Sequence, residues 1–129
     1  MSKITLFDKT FRPFIPYEEL EKAIDKVADH INADFSDSKE PVVLLCILNG
    51  SIMFTAELMK RLSFDCQLVS MKLSSYCGTE STGNVKQVMG MTGDIKGKHV
   101  IIVEDIVDTG NTIVDLTRIV KEKGALDCK

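Results

Sequence analysis

The 129-residue sequence has no tryptophan, three prolines and eight glycines, which is too little glycine and proline for a collagen-like or low-complexity chain. No apolar run approaches the roughly 18 residues that a membrane-spanning helix needs. Positive charge is not in excess either, since sixteen basic and nineteen acidic residues give a formal net charge of −3. A basic face for nucleic acid or an anionic membrane is therefore not indicated, and we expect neither partner.

The sequence also lacks the patterns of a secreted or a metal-binding protein. Its first ten residues have no apolar centre of the kind found in signal peptides, so a cytoplasmic protein is expected. The four cysteines form no C-x-x-C pair, and neither His30 nor His99 has a partner at metal-ligand spacing. Neither a disulfide framework nor a zinc site is indicated.

What the sequence does contain is an alternation of strands and helices in a chain about as long as one domain. Val42–Leu48 is an unbroken apolar run between Pro41 and a turn at Asn49-Gly50, as in a strand buried on both faces of a parallel sheet. Pro16 takes the favoured first position of one helix, and Ser51 is expected to cap another. The pattern predicts strands over 5–7, 42–48, 64–73, 85–91 and 99–103, and helices over 16–34, 52–62 and 111–123.

These elements predict a single α/β domain over residues 1–129. Its sheet is expected to be mainly parallel and twisted, with flanking helices and a long hairpin formed by 65–73 and 85–91. A helix over 111–123 should cross back to a further parallel strand, and only five residues follow Gly124. We therefore expect the C-terminal strands of the sheet to be missing, as in a truncated chain.

The chemistry concentrates where a second apolar strand, Val100–Val103, runs directly into acidic residues. Ligands of open α/β sheets bind beyond the carboxyl ends of the strands, which is where Glu104 and Asp105 fall. These carboxylates could accept hydrogen bonds from sugar hydroxyls or hold Mg²⁺ through water, because Mg²⁺ prefers oxygen ligands. Asp108 lies one turn away and is placed to act as a base. For any one of these residues, a solvated strand end or a helix N-cap is the plain structural alternative.

A turn over Asp108–Thr112 opens the following helix and suits a phosphate group. Backbone N–H groups and the positive end of the helix dipole meet at such a turn. Gly110 lets the backbone approach the phosphate closely, and Thr109 and Thr112 add hydroxyl donors.

Taken together, Val100–Thr112 resembles the phosphoribosyl-pyrophosphate-binding signature of the type I phosphoribosyltransferases. Ile47–Ser51 is similar to the pyrophosphate-binding loop of the hypoxanthine-guanine branch of that family. Ser74–Gly83 is similar to its closing lid, including the Ser-Tyr pair. The three motifs follow in the family's order, and the resemblance covers the chain from about residue 4.

The resemblance implies a role for each residue of these motifs. Asp108 is the general base, which takes the proton from N7 of the purine as N9 attacks C1 of the ribose. Glu104 and Asp105 bind the ribose hydroxyls, with Mg²⁺ nearby and held through water, and Ile106 lies against the base. The 5′-phosphate is bound by Asp108, Thr109, Gly110, Asn111 and Thr112. The pyrophosphate is bound by the loop of Leu48, Asn49, Gly50 and Ser51. The lid closes through Ser74, Ser75 and Tyr76.

The resemblance also implies a cis peptide bond between Leu48 and Asn49. Asn49 stands where many family members carry Lys or Arg, and Ser74 where some carry Lys. The purine-reading lysine, aromatic and acidic residues of the family's later strands are not present, so a chain without the purine-recognition half-site is expected.

The function implied is purine salvage, in which a Mg²⁺-dependent transferase moves 5-phosphoribose from phosphoribosyl pyrophosphate to hypoxanthine and guanine. The products are IMP or GMP and pyrophosphate, and the assembly implied is a homo-oligomer, a dimer or a tetramer. Two alternatives stay open at this point: a non-catalytic nucleotide- or RNA-binding regulator of the same fold, and an enzyme of the pyrimidine or adenine branch. Whether this chain is active by itself also stays open.

Overall fold

A computed structural model of the chain describes residues 3–74, 86–107 and 110–129. The elements alternate as the sequence predicts, and no helix in this part of the chain is both long and apolar enough to cross a membrane. In chain order they are β1 (Ile4–Leu6), β2 (Lys9–Phe11), α1 (Tyr17–Phe35), β3 (Val42–Leu48), α2 (Ile52–Met59), β4 (Gln67–Ser74), β5 (Lys86–Met89), β6 (His99–Val103), α3 (Asn111–Glu122) and β7 (Asp127–Cys128).

The main sheet has the strand order β5-β4-β3-β6-β7, with β3 at its centre. β4, β6 and β7 continue it in parallel, and β5 pairs antiparallel with β4 as the predicted hairpin. Alternate residues of β3 enter two cores, because Leu45 packs with Leu116 of α3 while Leu44 packs with Leu58 of α2. The prediction that β3 is buried on both faces is confirmed, and the expected α/β class with it.

The strand expected over 5–7 is part of a separate two-stranded hairpin of β1 and β2. Phe7, with a φ of 57°, lies in the turn between them. β2 was not predicted, because three residues with no apolar alternation carry too little pattern to indicate a strand. All six residues of the two strands are exposed, so this hairpin adds nothing to the main core.

Several predicted boundaries are wrong by one to three residues; β5, for example, covers Lys86–Met89 and not 85–91. Pro16 is the N-cap of α1, with a φ of −61° and a ψ of 149°, and not its first helical residue. β4 begins at Gln67 and not at 64, and α2 ends at Met59 and not at 62. The side chain of Asn32 from α1 donates to the Arg61 carbonyl at 3.1 Å, and it accepts from the Ser63 amide at 2.7 Å. The chain therefore turns after α2, because α1 supplies partners for backbone groups there.

One short strand, β7, follows α3 at the end of the sheet whose C-terminal strands were expected to be missing. Asp127 and Cys128 pair in parallel with His99 and Val100 of β6. The ladder continues one residue further, where the Lys129 amide donates to the Val100 carbonyl at 2.9 Å. The few residues after α3 are thus enough to return the chain to the sheet and to cover part of the apolar face of this helix.

Candidate functional site

The predicted site residues gather at the carboxyl edge of the sheet, where β3 and β6 end side by side. Cys46 of β3 is level with Val103 of β6 in the parallel register. The loop after β3 and the acidic pair after β6 must therefore lie next to each other. This is the position in which open α/β sheets bind ligands.

The two acidic residues after β6 are held by the backbone that follows each of them. The Asp105 amide donates to Oε1 of Glu104 at 3.0 Å, and the Ile106 amide donates to Oδ1 of Asp105 at 2.8 Å. Glu104 is half-buried and Asp105 is exposed. Among the side chains that the structure describes, no lysine or arginine forms a salt bridge with either carboxylate. The two carboxylates are therefore arranged to accept hydrogen bonds from hydroxyl groups or to bind a cation.

The neighbouring carboxyl groups also change each other's pKa. Burial, and next the hydrogen bond with Asp105, raise the pKa of Glu104 from its ordinary 4.5 to about 7. The hydrogen bond from Glu104, and next the Ile106 amide, lower the pKa of Asp105. Below about pH 7 the pair is therefore expected to carry one proton, on Glu104, with Asp105 as the ionised member.

We expect Glu104→Gln to stabilise the chain at pH 8 but not at pH 5. The pKa of Glu104 is higher in the folded chain than in the unfolded chain, so its ionisation lowers the stability of the fold as pH rises from about 4.5 to about 7. One pKa unit corresponds to about 1.4 kcal/mol, and solvent screening of this half-exposed carboxyl reduces the expected gain to about 1 kcal/mol. Urea unfolding with EDTA at both pH values measures it, and an equal effect of the substitution at pH 5 and pH 8 would contradict the raised pKa of Glu104.

The loop after β3, residues 48–51, contains the cis peptide bond between Leu48 and Asn49 that the resemblance implies. Asn49 and Gly50 are exposed, whereas Ser51 is fully buried. Ser51 is the N-cap residue of α2 as predicted, but its hydroxyl makes no capping hydrogen bond with the helix. The hydroxyl donates to the Ile47 carbonyl at 2.7 Å and lies 3.3 Å from Sγ of Cys46. Ser51 therefore supports the loop from the core side, because both its hydroxyl and its amide donate to the Ile47 carbonyl.

Gly110 is the N-cap of α3 and has a left-handed backbone, with a φ of 87° and a ψ of −10°. A Cβ at this position would meet nothing within 4 Å, so glycine is required here by conformation and not by crowding. The start of α3 points its N–H groups and the positive end of its dipole toward the edge that carries Asp105. The sequence predicts that Gly110 lets the backbone approach the phosphate closely. The structure shows a second reason for glycine at this position, its left-handed backbone conformation.

Not every predicted site residue falls in the described part of the chain. Asp108, Thr109, Ser75 and Tyr76 lie outside it, as does the side chain of Ser74. Of the others, Ile106 follows the acidic pair and is 73% exposed. Asn111 and Thr112 lie in the first turn of α3.

One contact was missed by the sequence argument, namely the packing of Asp105 against Gly50. The carboxylate fills the space in which a side chain at Gly50 would lie. The two apolar runs, Val42–Leu48 and His99–Val103, start level with each other in the sheet, and this register is not visible in either run alone, so no local signal would have revealed the contact.

Residues 16–128 match the phosphoribosyl transferase domain family. The hypoxanthine-guanine phosphoribosyltransferase of Streptococcus pneumoniae is 39% identical over 116 residues, covering 89% of this chain and 63% of that protein. The hypoxanthine-guanine-xanthine phosphoribosyltransferase of Tritrichomonas foetus is 34% identical over 116 residues, covering 90% of this chain and 62% of that protein.

A crystal structure shows the same likeness. The hypoxanthine-guanine phosphoribosyltransferase of Bacillus anthracis, with a HEPES molecule in its active site, has a TM-score of 0.83 at 32% identity, covering 92% of this chain and 70% of that one. This chain spans less than two thirds of the length of the two sequence relatives. The chain belongs to the phosphoribosyltransferase family, and the relatives it matches are enzymes of the hypoxanthine type.

Proposed function

We propose that this chain forms the phosphoribosyl-pyrophosphate site of a purine-salvage enzyme. The reaction is transfer of 5-phosphoribose to hypoxanthine or guanine, which gives IMP or GMP and pyrophosphate. The observation that carries the proposal is the packing of the Asp105 carboxylate against Gly50, because it joins a sugar-binding acid to the loop assigned to pyrophosphate. Gly110 opens α3 at the same edge of the sheet, where the 5′-phosphate would bind.

Each chemical group of phosphoribosyl pyrophosphate is then assigned to its own residues of the site. Glu104 and Asp105 accept hydrogen bonds from the two ribose hydroxyls, and the first turn of α3 donates to the 5′-phosphate. In the transfer step N9 of the purine forms a bond to C1 of the ribose, and the bond from C1 to the pyrophosphate oxygen breaks. Asp108 takes the proton that leaves N7, and Ser75 and Tyr76 close over the pyrophosphate to exclude water.

The acidic pair also fits Mg²⁺. Its carboxylate oxygens are the ligands that Mg²⁺ prefers, and the two carboxyl groups are adjacent at the edge of the sheet. Among the described residues no group of three or more metal-binding side chains occurs, which suits an ion bound through one or two carboxylates and otherwise by water and substrate. When bound, Mg²⁺ neutralises charge on the pyrophosphate.

The proposal extends to the setting of the enzyme: a cytoplasmic homo-oligomer, a dimer or a tetramer, without a nucleic-acid or membrane partner. The net charge of −3 favours an enzyme over an RNA-binding regulator of the same fold, because such a regulator needs a basic face.

Calorimetry with phosphoribosyl pyrophosphate and Mg²⁺ tests the proposed function. We expect one binding site per chain, with the affinity lowered at least about tenfold by Asp105→Asn, because the neutral amide is a weaker acceptor for sugar hydroxyls. Asp65→Asn is the matched control, since Asp65 is exposed and precedes β4 at the opposite edge of the sheet. Equal affinity of Asp105→Asn and the unchanged chain would contradict the proposal, and binding of an RNA oligonucleotide in its place would favour the regulator.

A further inference from the structure

Gly50 lies where the loop after β3 meets the acidic pair after β6. A Cβ added to this glycine would lie against Oδ2 of Asp105, 2.8 Å from its Cγ and 3.4 Å from its Cβ. The first two contacts are closer than real Cβ atoms allow, whereas the third is an ordinary van der Waals contact. The conflict therefore concerns the carboxyl group of Asp105 and spares the rest of its side chain.

Glycine is needed at position 50 because a side chain there would have no space. The described glycines with a positive φ are Gly97, Gly110 and Gly124, and Gly50 is not one of them. Alanine is thus compatible with the backbone at position 50, and a substitution there changes what the loop leaves room for. In this respect Gly50 differs from Gly110, whose missing side chain faces open space.

Besides its hydrogen bond with Glu104, the Asp105 carboxylate has a contact at each of its oxygens. Its Oδ1 accepts the hydrogen bond from the Ile106 amide at 2.8 Å, and its Oδ2 faces Gly50. A Cβ at position 50 would push the carboxyl group away and would break the bond to Ile106, because the backbone of the loop is less able to shift than a short exposed side chain.

We propose that Gly50 is a positioning residue, whose missing side chain seats the Asp105 carboxylate in the orientation that binds the ribose. The expected effect on phosphoribosyl-pyrophosphate binding rests on the proposed function. The orientation of the Asp105 carboxylate against Gly50 does not, because it is a property of the chain without ligand. The loop assigned to pyrophosphate thus sets the geometry of the sugar site.

A spectroscopic test of the seating needs no ligand. In ¹⁵N–¹H spectra the Ile106 amide proton of Gly50→Ala is expected to move upfield, because it loses its hydrogen bond to the Asp105 carboxylate. Gly93→Ala is the matched control, since the Cβ that it adds faces Val69 and not the site. An Ile106 amide that keeps its original position in Gly50→Ala would overturn the proposal.

A double-mutant cycle on phosphoribosyl-pyrophosphate affinity tests the consequence for binding. We expect Gly50→Ala to lower the affinity about tenfold or more, since misplacing a binding group by about 1 Å has effects of this size. In the Asp105→Ala background the same substitution is expected to have almost no effect, because the group that it displaces is gone. Independent, multiplying effects would overturn the positioning role and would assign Gly50 a contact of its own.

The two tests separate the proposals. A shifted Ile106 amide in a chain that binds no phosphoribosyl pyrophosphate would support the seating of Asp105 and would reject the proposed function. An unshifted amide in a chain that binds this ligand would support the proposed function and reject the seating.

Discussion

Replacing Gly110 with valine is expected to lower the affinity for phosphoribosyl pyrophosphate by about 100-fold. Gly110 has a φ of 87° at the N-cap of α3, a conformation that a β-branched residue adopts only with strain of about 1–3 kcal/mol. The backbone can escape this strain only by rotating, and rotation turns the first N–H groups of α3 away from the phosphate. Calorimetry with phosphoribosyl pyrophosphate and with ribose 5-phosphate measures the loss, which is expected for both ligands.

The chain offers a matched control for the strain. Gly97 has a φ of 73°, and a Cβ there also meets nothing within 4 Å, but the residue lies in the turn before β6 at the opposite edge of the sheet. Gly97→Val is therefore expected to lower the melting temperature about as much as Gly110→Val and to leave both affinities unchanged. If the two variants lost stability and affinity in parallel, the assignment of the 5′-phosphate to the start of α3 would fail.

In an enzyme that contains this chain together with the purine-recognition half-site, replacing Asp108 with asparagine is expected to lower kcat for IMP formation by about 10²–10⁴-fold, the usual contribution of a positioned general base. Asparagine has the same shape but cannot take the N7 proton. The affinity for phosphoribosyl pyrophosphate is expected to stay within about threefold, because the backbone donors of the turn are unchanged. Initial rates with hypoxanthine, together with calorimetry, separate the two quantities.

Asp37→Asn is the control for the loss of one negative charge, since Asp37 is exposed in the segment between α1 and β3. A kcat for Asp108→Asn equal to that of the unchanged chain would remove Asp108 from the role of base. A loss of affinity without a loss of kcat would instead make it a contact of the 5′-phosphate.

The strands at the centre of the sheet could be predicted from the sequence to the residue, and the ends of the helices could not. Val42–Leu48 and His99–Val103 are apolar runs with polar or turn residues at both ends, so their limits are local properties. The end of α2 depends on Asn32, which belongs to a different helix and bonds the turn at Arg61. Information of that kind is tertiary and leaves no mark in the local pattern.

The site likewise has features that the sequence predicts and features that depend on the packed structure. The position of Glu104 and Asp105 follows from the strand that runs into them, so the sequence was sufficient to place them at the edge of the sheet. The direction of the Ser51 hydroxyl and the raised pKa of Glu104 depend on burial, which only the packed chain defines. The contact between Gly50 and Asp105 depends on the register of β3 against β6.

That register also orders the events of folding. β3 and β6 are neighbours in space, but α2, β4 and β5 lie between them in the chain, so their pairing closes a long loop and is expected to come late. A chain in which β3, α2 and the hairpin were paired but β6 was not would have the loop 48–51 and no acidic pair beside it. A ligand that needs both would bind the finished sheet alone and stabilise it by mass action. Substrate binding would therefore indicate that β3 and β6 have paired.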